Sequence, residues 1–416
     1  MFQTTTAILL ASAVIAAVPS SARAQSTAVP PTIQEKVEVV ATRLPRAPHD
    51  TPSSVQVFTR DMLRTLGATN LQQALTLAAG VEVAPGGDGG PASSVPEFWG
   101  LREFDAFLLV VDDIPWGGAF NPALATLNLR DVERVEVLRG AAAVTYGATS
   151  FVGVVHVVHK AAAATTRYLD IRGGQYGSGG GSIDFGIPSS GAWKSRVTLD
   201  GERQGFKDDR TSFVRGHGLY RGAAVSATKK TWLMADVNVL NQSPGSPHPR
   251  QGTALSSSVP LDANYNPANA RIDETRLFFS FGHERQVLEN ARWSATAGYT
   301  HSGQNIFRGF LTNIANAANN ATGFVETIDV NDLYVDTHVS WPKGERVEFV
   351  AGGDFLFANG EGKGATFTYT VPLSGAATSV TEPTTLNLDS EARRSFFGGY
   401  AMAEFTPTSK VRFSAG

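Results

Sequence analysis

Cysteine is absent from all 416 residues, which excludes disulfides and thiolate metal sites and suits a protein exported to an oxidising compartment. Beyond the first two dozen residues no apolar run approaches 18, so the rest of the sequence holds no candidate transmembrane helix. Charge is sparse at 18%, against roughly 25% in an ordinary soluble domain, and the net charge of −3 provides no polycation for nucleic acid. Catalytic signatures are missing too. There is no strand-to-helix GxGxxG, P-loop, H-E-x-x-H or nucleophile elbow, and "GEGKGAT" at 360–366, placed in a long loop, lacks the Ser or Thr that should follow its lysine. The reading is therefore of a non-enzyme with no catalytic residue, cofactor or metal site.

What is present begins with an export signal. Ala7 to Val18 is an apolar core too short to span a bilayer, and Ala22-Arg23-Ala24 gives a small-x-small cleavage pattern. Residues 1–24 are expected to be removed, leaving Gln25 as the first residue, although residues 1–6 carry no Lys or Arg. A polar leader follows, then "EKVEVVATRLPR" at 35–46. An isolated β-prone heptamer after such a leader can add as a strand to a partner's sheet edge, or it can be the first strand of the next domain. As a tail it is expected to be mobile until a partner orders it, since a lone strand cannot satisfy its backbone donors.

Residues 50–160 read as a small α+β domain. "TRDMLRTLG" opens with a capping Thr59 and ends at Gly67; "NLQQALTLAAG" opens at Asn70, with Gln73 three residues on, and ends at Gly80. Strands are expected at Ser54–Phe58, Phe107–Val111, Val132–Leu138 and Val154–Val158. From Arg167 the texture changes to alternating segments of about ten residues, separated by gaps that are short and long in turn. Short turns fall at 188–192, 228–230, 287–290, 342–345 and 407–410; long gaps fall at 204–213, 241–273, 302–328 and 360–393. That layout fits an outer-membrane barrel, with a soluble β-sandwich as the competing arrangement. Trp193, Trp232, Trp293 and Trp341 flank short turns, and all but Trp232 share the parity of the apolar face. Trp232 either points inward or marks a bulge.

"VERVEVLRGAAAVTYGATSFVGVVHVVHK", residues 132–160, resembles the end of the plug domain of TonB-dependent outer-membrane receptors, whose pattern runs I-E-R-I-E-V-L-R-G-P-x-S-x-L-Y-G and then G-G-V-I-N-I-I-T-K. Glu133, Arg134, Glu136, Val137, Leu138, Arg139, Gly140, Tyr146, Gly147, Gly153, Val154 and Lys160 match. Ala141, Val152, His156 and His159 depart from it, replacing Pro, Gly, Asn and Thr. "LLVVDDIPW" resembles the plug's L-V-L-V-D-G-V-P, with Asp113 in the glycine position, and "FWGLREFD" resembles its R-G-L/F stretch, with Trp99 in place of arginine. "EKVEVVATR" is similar to a TonB box and its exit.

The resemblance implies a signal at 1–24, a periplasmic tail at 25–46, a plug at 47–162 and the N-terminal part of a transmembrane β-barrel at 163–416. The implied fold is an α+β plug followed by an antiparallel barrel. The TonB box would be Val37, Glu38, Val39, Val40, Ala41 and Thr42, seized by an inner-membrane TonB-type protein. A plug that must move is better held by wet charged pairs than by continuous apolar contact, because exposed pairs contribute only about 0–1 kcal/mol each. Glu133, Arg134 and Arg139 would lock plug to barrel, the arginines meeting inward carboxylates among Asp200, Glu202, Glu348, Asp354 and Glu404, or else pairing with Glu133 and Glu136 inside the plug. Phe98, Trp99, Trp116 and Phe120 are candidates to grip a ligand, or else plug core. His156 and His159 fall on opposite faces of a strand and make a poor chelate.

The implied function is active uptake through the outer membrane, in contact with its lipid, of a small extracellular ligand. A ferric siderophore leads by family, while the amide-rich, weakly charged gaps at 241–273 and 302–328 lean toward a neutral ligand such as a carbohydrate or cobalamin. A surface receptor without transport is the remaining alternative. Eleven strands are counted, about half of the roughly 22 that such a barrel needs, and the reading expects a fragment.

Overall fold

The structure, a computed structural model, describes residues 54–83, 96–101, 107–116, 124, 127–139, 153–344, 346–408 and 411–416. The export signal, the segment Val37–Thr42 and Phe120 lie outside the described residues.

Capping chemistry sets the two helices described in the first domain. After β1 (Ser54–Thr59), α1 (Arg60–Thr65) starts where the Thr59 hydroxyl accepts the Met62 N–H at 3.4 Å, and it ends before Gly67, whose φ of 73° suits the left-handed stop. At α2 (Leu71–Leu75) the Asn70 side chain accepts the Gln73 N–H at 2.9 Å while the Gln73 side chain accepts the Thr69 N–H at 2.8 Å, a reciprocal pair. β2 (Val81–Val83) pairs with β3 (Pro96–Phe98) in a small separate ribbon. The main sheet joins β1 to β4 (Phe107–Val111), β5 (Ile114–Pro115), β6 (Val132–Arg139) and β7 (Gly153–His159) in the order β1-β6-β7-β4-β5. Among the described strands of this sheet only β4 and β7 run parallel, so the sheet is mixed, and β4 is buried at all five positions as an unbroken apolar run should be.

Gly153 shows why its position takes glycine. A β-carbon there would stand 2.6 Å from the Leu138 carbonyl and 3.1 Å from the Phe98 ring. Gly153→Ala is expected to cost the plug about 1–3 kcal/mol by overpacking, read as an earlier unfolding transition on denaturant titration. An unchanged midpoint would contradict this.

The second part is one antiparallel sheet of eleven strands. In chain order they are β8 (Tyr168–Gly173), β9 (Gly179–Ile187), β10 (Trp193–Gly205), β11 (Ser212–Val225) and β12 (Lys229–Ser243); then, after a ribbon of β13 (Arg250–Gln251) and β14 (Ala254–Leu255), β15 (Arg271–Gln286), β16 (Arg292–Leu311), β17 (Ala321–Lys343), β18 (Val347–Tyr369), β19 (Leu388–Thr408) and β20 (Val411–Ala415). Each strand pairs with its sequential neighbour, β12 with β15 across the ribbon, and β8 and β20 are the sheet's edges. The faces separate by parity. Leu169, Ile171, Leu199, Phe279, Phe281, Trp341 and Phe397 are exposed on one side, while Asp184, Arg196, Asp200, Arg215, His217 and Asp336 are buried on the other. Apolar outside and polar inside is the face pattern of an outer-membrane-type barrel wall and the inverse of a soluble sandwich. Trp232 has the inward parity of Met234, packs against the plug core, and lies over Gly282 where no β-carbon would fit. The strand carries no register shift there, so the inward alternative is the right one.

The expected long gaps are corrected at two places. β16 and β17 reach 311 and 321, and β18 runs on to 369, so the intervening loops shrink to 312–320 and 370–387, and "GEGKGAT" is strand. Strands of 20 to 23 residues are about twice the length that spans a bilayer. The amides of the loops are also engaged. Asn264 donates to the Asp208 carboxylate and to the Pro244 carbonyl, Asn266 donates to Pro244 and Gly245, and Asn320 donates to the Val371 carbonyl at 2.8 Å. Arg210 gathers the carbonyls of Asn264, Asn266 and Gly375. This polar composition builds loop architecture, which removes its support for a neutral ligand.

Candidate functional site

Plug and wall meet along two kinds of contact. One is apolar: the plug core, through Ile114 and Trp116, is continuous with Leu219, Met234, Phe278, Tyr334, Leu356 and Ala358 of the wall. The other is ionic and dry. Lys160 Nζ stands 2.6 Å from Asp184 Oδ2, the Arg196 guanidinium pairs with the same carboxylate, and the three side chains are 2%, 1% and 0% exposed for Lys160, Arg196 and Asp184. Arg196 further donates to the carbonyls of Ala164 and Thr166, and Arg221 donates to the Lys160 carbonyl while facing Asp131 at 3.8 Å. The expectation of a wet, weakly held interface is thus corrected. Water is excluded at these links, so losing one partner strands a buried charge.

Of the arginines singled out from the sequence, Arg134 takes the alternative of pairing inside the plug. Arg134 Nε bonds Glu136 at 2.7 Å inside the plug, and Arg139 donates to the Ala79 carbonyl at 2.6 Å. Asp200 and Glu202 do face inward, but Arg215, His217 and Arg172 of the wall engage them. Glu133 and Arg134 instead line a cleft of about 860 Å³ between plug and wall, shared with Lys194, Arg221, Lys230 and Trp232.

The aromatic candidates divide. Phe98 is fully buried and stacked on Phe107 at 5.3 Å, with no face left for a ligand. Trp116 is buried against Phe278 at 5.9 Å, with the Arg276 guanidinium 4.6 Å above its ring, and so anchors the plug to the wall. Both are corrected to packing residues. Trp99 is 63% exposed in a left-handed turn (φ 55°) that leans on Gly80, at the end of the plug away from the short-turn rim of the wall.

Beside the cleft, the turn Asp112–Asp113 bridges β4 and β5 with both residues left-handed, at φ 45° and 71°. Asp112 accepts the His159 N–H at 2.9 Å and holds the ring's Nδ1 at 2.9 Å; the ring's Nε2 faces Asp131 at 3.8 Å. His156 Nε2 accepts the Asp113 N–H at 3.2 Å, and its Nδ1 faces Glu136 at 3.7 Å. Burial pushes the carboxyl of Asp112 up, but His159 and then Arg221 hold it well below the usual range. Glu136 behaves likewise, burial being overcome by His156 and Arg134. Burial pushes both imidazoles down, yet their carboxylate neighbours raise both above the ordinary histidine value. Sequence reasoning missed Lys160, Asp131, Asp184, Arg196 and Arg221 as plug-to-wall residues. Its available signals were the matched Lys160 and the acidic Asp184 in a strand of otherwise small and apolar residues.

Residues 47–154 match the family model described as TonB-dependent Receptor Plug Domain. Over 202 residues the chain is 27% identical to the vitamin B12 transporter BtuB of Vibrio cholerae, covering 42% of this chain and 32% of that protein. Its fold matches the ferripyoverdine receptor of the outer membrane of Pseudomonas aeruginosa, with a TM-score of 0.72 and 18% identity over 89% of this chain and 52% of that one. It also matches the ferric-catecholate import receptor Fiu from E. coli K12, with a TM-score of 0.68 and 18% identity over 88% of this chain and 58% of that one. The chain thus spans about half the length of the receptors whose fold it shares.

Proposed function

We propose that this chain, which by its plug and barrel-type sheet belongs to the TonB-dependent receptors, acts in the outer membrane as a gate for active uptake of a scarce ligand. The family is one of transport receptors rather than enzymes. The observation that carries the reading is the dry fastening of plug to wall through Lys160, Asp184 and Arg196. A plug held by buried charge does not slip aside thermally, so its opening requires work, which an inner-membrane TonB-type protein pulling on Val37–Thr42 would supply. In this scheme residues 1–24 are the cleaved signal, 25–46 the periplasmic tail, 47–162 the plug and 163–416 barrel wall. Glu133 tunes the cleft, Trp99 meets the ligand at the far end of the plug, and Phe120 is a further ligand contact proposed on its sequence alone.

A ferric siderophore is the proposed ligand, supported by structural relatives named as receptors for ferripyoverdine and ferric catecholate. Cobalamin is the second reading, favoured by the match to a vitamin B12 transporter. Deleting the gene should abolish growth on at least one ferric siderophore as sole iron source and leave cobalamin-dependent growth intact. Loss of cobalamin-dependent growth alone would replace the first reading by the second.

A further inference from the structure

The family pattern has Asn and Thr where this chain has His156 and His159, and glycine where it has Asp113. These three departures converge on one turn. We propose that His156 and His159 make the Asp112–Asp113 turn a proton-set, two-position latch at the plug-wall cleft.

The geometry distinguishes the two positions. In one, the neutral His156 ring accepts the Asp113 backbone N–H at Nε2, as observed at 3.2 Å. A proton on that nitrogen makes it a donor and sets N–H against N–H. The nearest acceptor is the Asp113 carboxylate, whose Oδ1 is 3.6 Å from Nε2, and reaching it requires the turn to shift. The second ring works in the opposite sense, because a charged His159 draws in Asp112, which also caps the His159 backbone. Both turn residues stand in the left-handed region that disfavours side chains, so neither position is held by backbone preference.

Among the described residues, charged groups face both rings from several elements. Glu136 of β6, itself paired with Arg134, and Asp113 and Asp112 of the turn face His156. Asp112, Asp131 and Arg221 of β11 face His159. Lys230, Lys194 and Glu133 line the same cleft. Because both imidazoles are raised above about 6.5, the charge clamp is complete below that pH and is lost as pH rises through the raised values. On the acid side it is lost only as pH falls through the lowered values of Asp112 and Glu136.

Amide hydrogen exchange of the full chain in detergent reads both positions directly, with protection factors correcting for intrinsic rates. As pH rises from about 6.5 through the raised imidazole values, the His159 amide should lose protection and the Asp113 amide should gain it, in opposite directions over the same range. His156→Asn, which still offers an acceptor, should abolish the gain at Asp113; His159→Thr should abolish the loss at residue 159. Parallel changes at the two amides, no change at either, or matching loss at the core amide of Val135 would each overturn the latch. The wild-type series decides even where a variant fails to fold. The readout needs no ligand and no partner, so it stands apart from the uptake proposal.

Discussion

Asp184→Asn is expected to lower the plug's thermal transition by more than about 10 °C and to make the outer membrane permeable to large antibiotics. The substitution keeps the shape of the side chain and removes its charge. The amide oxygen introduced at position 184 can still accept a hydrogen bond, Lys160 keeps the Arg130 carbonyl at 3.3 Å with Asp131 nearby, and Arg196 keeps the Ala164 and Thr166 groups, but both buried cations lose the carboxylate that paired them. Stranding buried charge costs about 3–5 kcal/mol, and each kcal/mol moves a domain of about 100 residues by roughly 4–8 °C. Removing both charges, as in Lys160→Met with Asp184→Asn, should recover part of the loss, because an apolar replacement leaves one buried cation instead of two. Calorimetry of the purified chain measures this. A single variant melting within about two degrees of the wild type would mean that water reaches the pair and that the plug is held elsewhere.

Much of this architecture was legible in the sequence, and the failures share a physical cause. All eleven wall strands were found because one face of each is apolar, and a period of two is unmistakable when the faces differ. The same signal faded in "NGEGKGATFTY" at 359–369, where glycines and charged residues open the segment and the apolar side chains of its end, Phe367 and Tyr369, pack against loop and strand residues remote in sequence. The helix caps at Thr59 and Asn70 were readable since their partners lie three residues away. Lys160 and Asp184 are 24 residues apart, and Asp131 and Arg221 are 90 apart (221 − 131), so their meeting depends on how the plug is seated in the wall. No local pattern encodes that. Phe98 and Trp116 misled for a related reason: aromatic residues next to glycine-rich segments look exposed until the neighbouring strand and wall are in place.

The second large effect concerns energy coupling. If the tail is the handle by which the plug is pulled, deleting Glu35–Thr42 removes the handle and leaves the extracellular loops, Trp99 and the buried fastening untouched. Binding at the cell surface should then persist at wild-type affinity while accumulation falls to background. A loss of both would mean that the deletion unfolds the receptor, which a wild-type plug melting transition in the variant excludes. The decisive measurement is accumulation of radioactive iron, supplied as the siderophore complex on which the intact gene supports growth, by cells whose only copy lacks residues 35–42. The account predicts surface-bound label with no entry above that of gene-deleted cells; accumulation at the wild-type rate would contradict it.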